Sequence, residues 1–313
     1  MECIKEGNRW LVTLSPSSLS TWTCPLKGYF SYKLDLKRER QVNPSDVKAL
    51  FGKALHIAIP TLRLTGDLNT AISKFDAVFL DTPEEVKTDW YSNARGRAIL
   101  ASYATKYFKE GKDDLKVCHI GDQPQVERDA KIPFIVKDDL IVTLQGIIDS
   151  VNYFEGTPKT LFNVDLKTTG SSIGLDDPWM QFQRISDQFT AYNAILHTLY
   201  SPFGYTVGGT ILDCIYTRPK KLGLECFYRM RAEDSIKFSL KAVEVLKEKI
   251  EWTCRNVIIP VFEGTLRPFG AKSPLCLQFG KCKYLEACNL GDGDVDLIPM
   301  DYLNLRFGEE ESE

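Results

Sequence analysis

No apolar run in the chain approaches the ~20 residues of a membrane-spanning helix. The opening "MECIKEGNRW" carries charges where a secretory leader would carry an apolar segment. A cytoplasmic location is therefore the expectation. Strong charge of either sign is also missing: 39 basic and 42 acidic residues leave a formal net charge of -3 over 313 residues. A nucleic-acid partner would have to be held by a local basic surface rather than by bulk charge. Internal repeats and low-complexity linkers are absent. The nine cysteines include no C-x2-C pair, which excludes zinc-knuckle spacing. In a reducing compartment they read as buried thiols, metal ligands or a nucleophile rather than structural disulfides. Histidine occurs three times. What is present, 43% hydrophobic and 26% charged residues, describes a globular chain with room for one large domain or two small ones, at roughly 100–200 residues each.

Periodicity divides the chain into three regimes. In "LSPSSLSTWTCPLKGYFSYKL" a serine-rich cap precedes apolar residues at helical spacing, so a helix is expected to begin near Ser17 or Ser18. Residues 45–64 read as a helix capped by Ser45 or Asp46 and ended or kinked near Pro60, with further helices at 67–80 and from about 84 to 109. From residue 122 the period becomes that of strands, in "QPQVERDAKIPFIV", "LIVTLQGIIDSVNYF" and "TLFNVDLKT". From 177 a helical stretch, two strand-like stretches and a long amphipathic helix over 233–256 follow, and the tail from 292 is acidic. The expected fold is α/β, with a mixed central sheet, flanking helices and a helical N-terminal part, in one domain over 1–291.

The stretch "LFNVDLKTTG" sets an acid and a lysine two residues apart within an apolar strand. Strand side chains alternate, so Asn163, Asp165 and Lys167 share a face. The turn signal "EGTP" lies between this strand and the one before it. Facing residues of a hairpin have a constant sum, and a centre near residue 157 sets Asp149 opposite Asp165. Opposed Cβ atoms lie about 4.5–5.5 Å apart, where two carboxylates repel unless a cation or proton sits between them. A divalent metal about 2.0–2.2 Å from each oxygen fits that gap. The plainer alternative is that Lys167 neutralises two surface acids.

"SPSSLSTWTCP", "FGKALH", "GIIDS", "DLK" and "QFTAY", in that order, resemble the RecB-type branch of the PD-(D/E)xK nuclease superfamily. The similarity is to its iron-sulfur exonucleases, related to CRISPR-associated RecB-like nucleases and to phage proteins. It runs from about residue 15 to residue 290. The resemblance implies a restriction-endonuclease-like core in which His56, Asp149, Asp165 and the backbone carbonyl of Leu166 hold a catalytic Mg²⁺ or Mn²⁺ and Lys167 orients or activates the attacking water. It places Gln188 and Tyr192, four apart on a helix, beside the cleaved bond; core packing is the alternative for that pair. Glu127 is read either as a site residue or as a salt-bridge partner of Arg128 or Lys131.

Cys276, Cys282 and Cys288 stand at equal steps of six, with Cys24 far upstream. Four thiolates suffice for a four-iron four-sulfur cluster, and the resembling nucleases use this split set to join the two ends of the chain. Zinc is the alternative. The expected function is a metal-dependent exonuclease acting on single-stranded DNA or DNA ends in recombination, repair or phage DNA processing. A nuclease-like DNA-binding scaffold that does not cut, within a helicase or spacer-acquisition complex, is the second hypothesis.

Overall fold

A computed structural model describes residues 1–34, 44–79, 88–108, 114–170, 173, 176–218 and 222–266. It opens with a hairpin, β1 (Glu2–Glu6) and β2 (Arg9–Leu14), paired antiparallel. The turn uses Gly7 at φ 59°, a conformation that costs glycine little. The helical signal read from the N-terminal sequence holds only after this hairpin. Because β1 is almost wholly exposed, it carries no buried-exposed alternation to read.

Helix α1 (Pro16–Thr21) begins slightly before the expected Ser17 or Ser18. Ser15 caps it, accepting from Ser18 N at 3.1 Å, while Ser18 Oγ accepts from Ser15 N at 2.7 Å. Cys24 occupies the N-cap position of the short α2 (Pro25–Gly28), and a π-type turn over Tyr29–Lys33 follows. Next come α3 (Pro44–Thr65), α4 (Leu68–Phe79) and α5 (Asn93–Tyr107). α3 continues through Pro60 instead of ending there. Ala58, Ile59 and Leu62 are buried around the proline, and that packing outweighs the hydrogen bond the proline removes. α5 starts at Asn93, later than the expected 84, because Ser92 accepts from Arg95 N at 3.2 Å and caps it there.

Short strands β3 (Leu115–Val117), β4 (His119–Ile120) and β5 (Gln123–Pro124) lead to β6 (Val126–Val136), β7 (Leu140–Phe154) and β8 (Thr160–Thr169). The helical stretch expected from 178 to 200 is two helices, α6 (Pro178–Arg184) and α7 (Asp187–Tyr200). Ser186 separates them by capping α7. β9 (Thr206–Tyr216), β10 (Phe227–Arg229) and β11 (Ile236–Lys237) precede α8 (Leu240–Thr253), a π-type turn over Cys254–Ile258 and α9 (Ile259–Glu263). α8 begins at Leu240 rather than at 233, since Ile236 and Lys237 pair with β9. The class is α/β. Parallel pairings (β2–β7, β8–β9) alternate with antiparallel ones (β1–β2, β7–β8, β9–β10) in a large mixed sheet flanked by helices. Among the described residues no helix is long and apolar enough to cross a membrane.

The chain divides into two compact units. The first takes its described residues from both ends of the chain and from Lys131–Gly146. Within it, Leu140–Leu144 of β7 pair with β2. Trp22 packs on Phe262 at 6.3 Å between ring centroids, Lys33 Nζ donates to Phe262 O at 2.9 Å, and Arg255 grips Asp139 at 2.7 and 3.0 Å. The second unit draws on Val42–Ala130 and Ile147–Ser239. Its core under α3, α4 and α5 gathers Phe51, Phe75, Phe79, Tyr103, Leu166 and Ile215, with edge-to-face contacts of Phe51 to Phe75 and to Phe79 at 5.4 Å. A second cluster joins α6 and α7 to β8 and β9 through Met180, Phe189, Val164 and Leu212.

Candidate active site

The second unit contains every residue of the expected catalytic set. The β7–β8 ladder pairs Ser150 with Val164, Val151 with Asn163 and Asn152 with Phe162. The same register, carried one step further, sets Asp149 against Asp165 as the turn predicts. The backbone N–H of Leu166 donates to Asp149 Oδ2 at 3.0 Å. His56, from α3, brings Nδ1 to 3.5 Å from the same oxygen. Gly52 lies one turn earlier on α3, where a Cβ would stand 2.9 Å from Thr168 Oγ1 of β8. A larger residue there would make Thr168 turn its hydroxyl aside. The signal was present in "FGKALH", as a glycine on the histidine-bearing face of the helix.

Asp165 is 4% exposed. Its Oδ2 forms an ion pair with Lys167 Nζ at 2.8 Å, and among the described residues this buried oxygen has no further partner. Burial, followed by the charge of Asp149, pushes the Asp165 carboxyl above the usual carboxylate range, against the pull of Lys167. Asp149 is set the other way. Burial disfavours its charge, but the hydrogen bond and charge of His56, with Leu166 N–H and Lys167, outweigh that and hold its carboxyl below the usual value. Burial likewise works against the Lys167 ammonium, and the charge of Asp165 beside it more than compensates, raising the lysine's pKa. Its Nζ also sits 5.5 Å over the Phe189 ring of α7, a contact the sequence reading missed.

α7 adds Gln188 and Tyr192. Gln188 and Tyr192 lie one turn apart on α7, and Tyr192 lies within electrostatic reach of Asp165, Asp149 and Lys167. Burial and those acids push its hydroxyl upward. Glu127 lies at the start of β6 with φ 48°, uncommon for a residue with a side chain. It forms no ion pair with Arg128 or Lys131 among the described residues. Its electrostatic neighbours are Asp149 and His56, and partial burial and Asp149 raise its carboxyl pKa.

The donor types, two carboxylates and an imidazole, suit a hard octahedral cation with a tilt toward Mn²⁺, and the buried Oδ2 of Asp165 already faces a cation, the Lys167 ammonium. These residues fit a divalent metal chemically. They are not drawn in to ligand distances, since no three of His, Cys, Asp and Glu converge that closely among the described residues. In their place the Lys167 ammonium lies against Asp165.

Neither a protein-family model nor a curated protein sequence matches the chain. Among solved structures, it is similar to the crystal structure of SSO0001, at 13% identity over 80% of this chain and 78% of that one, with a TM-score of 0.30. Of the expected cluster ligands, Cys24 is partly buried in the first unit; Cys276, Cys282 and Cys288 lie outside the described residues, as does the acidic tail. Cys3, Cys118, Cys214, Cys226 and Cys254 form no disulfide, and the last four are buried.

Proposed function

We propose that the protein is a metal-dependent deoxyribonuclease of the RecB-like PD-(D/E)xK type, acting as an exonuclease on single-stranded DNA or DNA ends. The observation that carries this reading is the hairpin register, which opposes Asp149 to Asp165 with His56 and Lys167 against them. Two acids held in repulsion are hard to justify for packing alone. His56, Asp149 and Asp165, with Glu127 nearby, would hold Mg²⁺ or Mn²⁺. Such an ion polarises a scissile phosphate and lowers the pKa of water.

The chain's own residues do the rest. Lys167, a cation fixed by Asp165 and the Phe189 ring, stabilises charge that grows on phosphoryl oxygens. Gln188 and Tyr192, one turn apart on α7, would contact the DNA beside the acids. The reading includes a cytoplasmic location and a four-iron four-sulfur cluster on Cys24, Cys276, Cys282 and Cys288. A DNA-binding scaffold that does not cut is the second reading, favoured by one observation: Lys167 already neutralises Asp165.

The test is end-labelled single- and double-stranded DNA incubated with the protein in Mn²⁺, Mg²⁺ or EDTA. Cleavage is expected with either metal and none in EDTA. Asp165→Asn and Lys167→Met should each lose at least about 100-fold in rate while still binding DNA. Cleavage by Asp165→Asn near the wild-type rate would overturn the site, and binding without cleavage by wild type would favour the scaffold.

A further inference from the structure

We infer that the mouth of the candidate active site seats one unstacked nucleotide, with Ile147 beneath its base and sugar and Lys53 on a neighbouring backbone phosphate. The inference rests on the nuclease reading for its ligand, DNA. It adds the form of that ligand: a single strand or frayed end, whose bases are free to leave the stack.

The β7–β8 ladder ends at Ser150 and Val164. Beyond it the Leu166 N–H is taken by the Asp149 carboxylate at 3.0 Å, and β8 continues to Thr169 with β9 as its ladder partner. A crevice thus opens between β7 and β8 at the site. Asp149 and Ile147 share one face of β7, and the hairpin register carried two steps past the ladder sets Ile147 level with Lys167. Ile147 is 55% exposed, between buried Gly146 and Ile148. A scattered exposed aliphatic residue needs no explanation. This one stands on an inner strand of the large sheet, between β2 and β8 in the strand order, two residues from a candidate metal ligand.

α3 supplies the charge. His56 reaches Asp149, and Gly52, one turn earlier, lies over Thr168 of β8, so the helix runs against the strand. Lys53 follows Gly52 and precedes His56 by three residues, which puts both side chains on one flank of the helix, with Lys53 near the level of Lys167 and Ile147. Lys53 is exposed and makes no hydrogen bond or ion pair among the described residues, whereas Lys167 is committed to Asp165. A nucleotide is divided in the same way, an apolar base and sugar beside a charged phosphate. Aliphatic side chains lie against bases and wedge between them, and a lysine ammonium serves phosphate as a point charge. The acids mark the scissile phosphate, so Lys53 meets the next one along the strand. A base stacked within a duplex presents only its edge, so Ile147 selects an unstacked one.

The experiment measures fluorescence polarisation in EDTA, where nothing is cut, of a labelled oligothymidylate and a labelled blunt duplex of equal length over a range of salt. Ile147→Thr should weaken oligothymidylate binding roughly fivefold, affect the duplex much less, and leave thermal stability and the salt slope unchanged. Ile147→Phe should bind the oligothymidylate at least as well as wild type. Lys53→Gln should lower the slope of log K against log salt by about 0.7. Wild-type affinity in Ile147→Thr, an equal loss for strand and duplex, or an unchanged slope in Lys53→Gln each overturns the inference, as does Ile147→Phe binding as weakly as Ile147→Thr. If wild type binds the strand through Ile147 and Lys53 yet never cuts it in Mn²⁺, the nuclease reading fails while the nucleotide seat stands. If cutting needs Asp165 and both variants bind as wild type does, the seat fails while the reading stands.

Discussion

Asp139 and Asp165 are one side chain in opposite surroundings. Asp139 is exposed, and hydrogen bonds from Arg255 bring its carboxyl down to about 2 from an ordinary 3.8. Glu251 is held below its usual range by Lys137 and the same arginine. In both, the folded state binds the proton less tightly than the unfolded chain does. Their stabilising contribution is therefore complete above the ordinary carboxylate pKa and is lost as pH falls from about 4 toward 2. Melting temperature against pH should decline over that interval, and Arg255→Met should show a shallower decline because it removes the shared partner. Identical slopes in the two proteins would rule out this network as the cause. Asp165 has no such arginine. It is buried beside a second acid and a lysine, and burial and that acid push its carboxyl up where Arg255 brings Asp139 down. Glu127 adds to the cost, since a left-handed backbone at a residue with a side chain stores about 1–3 kcal/mol.

Among the elements, β9 depends on one residue for its shape. Gly209 has φ 136°, and a Cβ there would lie 2.1 Å from Ile236 O on β11. The β8–β9 ladder shifts register at this point. Gly209→Ala adds backbone strain and a clash with main chain that cannot rotate away. The expected loss is about 2–4 kcal/mol, a fall of roughly 5–15 °C in Tm readable by differential scanning fluorimetry. A change under about 2 °C would mean that β11 moves aside freely.

Elements also show why part of the molecule was legible in the sequence and part was not. The β7–β8 hairpin was readable to the residue, because a strong turn signal fixes register and alternation fixes the face. With it came the pairing of Asp149 and Asp165. The starts of α5 and α8 were not readable. Ser92 caps the first, and pairing of Ile236 with Thr210 of β9 delays the second; this last is a tertiary choice that helical periodicity cannot register. The approach of His56 was only half legible, since Gly52 matters through Thr168, more than 100 positions away. The buried Arg63–Asp213–Arg229 network gave no sequence signal, because its members come from a helix and two strands with unrelated spacing.

For the whole molecule, the proposed cluster bears on stability. Metal binding at a site that is unformed in the unfolded chain is itself folding free energy. Cys24→Ala should therefore melt lower than Asp165→Ala, and wild type purified without oxygen should be brown. Equal melting temperatures for wild type and Cys24→Ala, or colourless protein with stoichiometric zinc, would remove the iron-sulfur assignment.

The first unit also joins residues far apart in sequence without any metal: Lys5 meets Glu263 at 3.3 Å across a separation of 258 positions. A ribosome makes the chain in one direction, so Lys5, Trp22 and Lys33 emerge long before Phe262 and Glu263, while the second unit takes its residues from no further than Ser239. Domains generally fold as units during synthesis, so the second unit should be complete on the ribosome while Trp22 and Lys33 still await Phe262. Stalled nascent chains with all residues through Ser239 outside the exit tunnel should protect α3 and β8 from protease and leave the chain around Trp22 and Lys33 open to it. A segment made early would then be among the last to take its place.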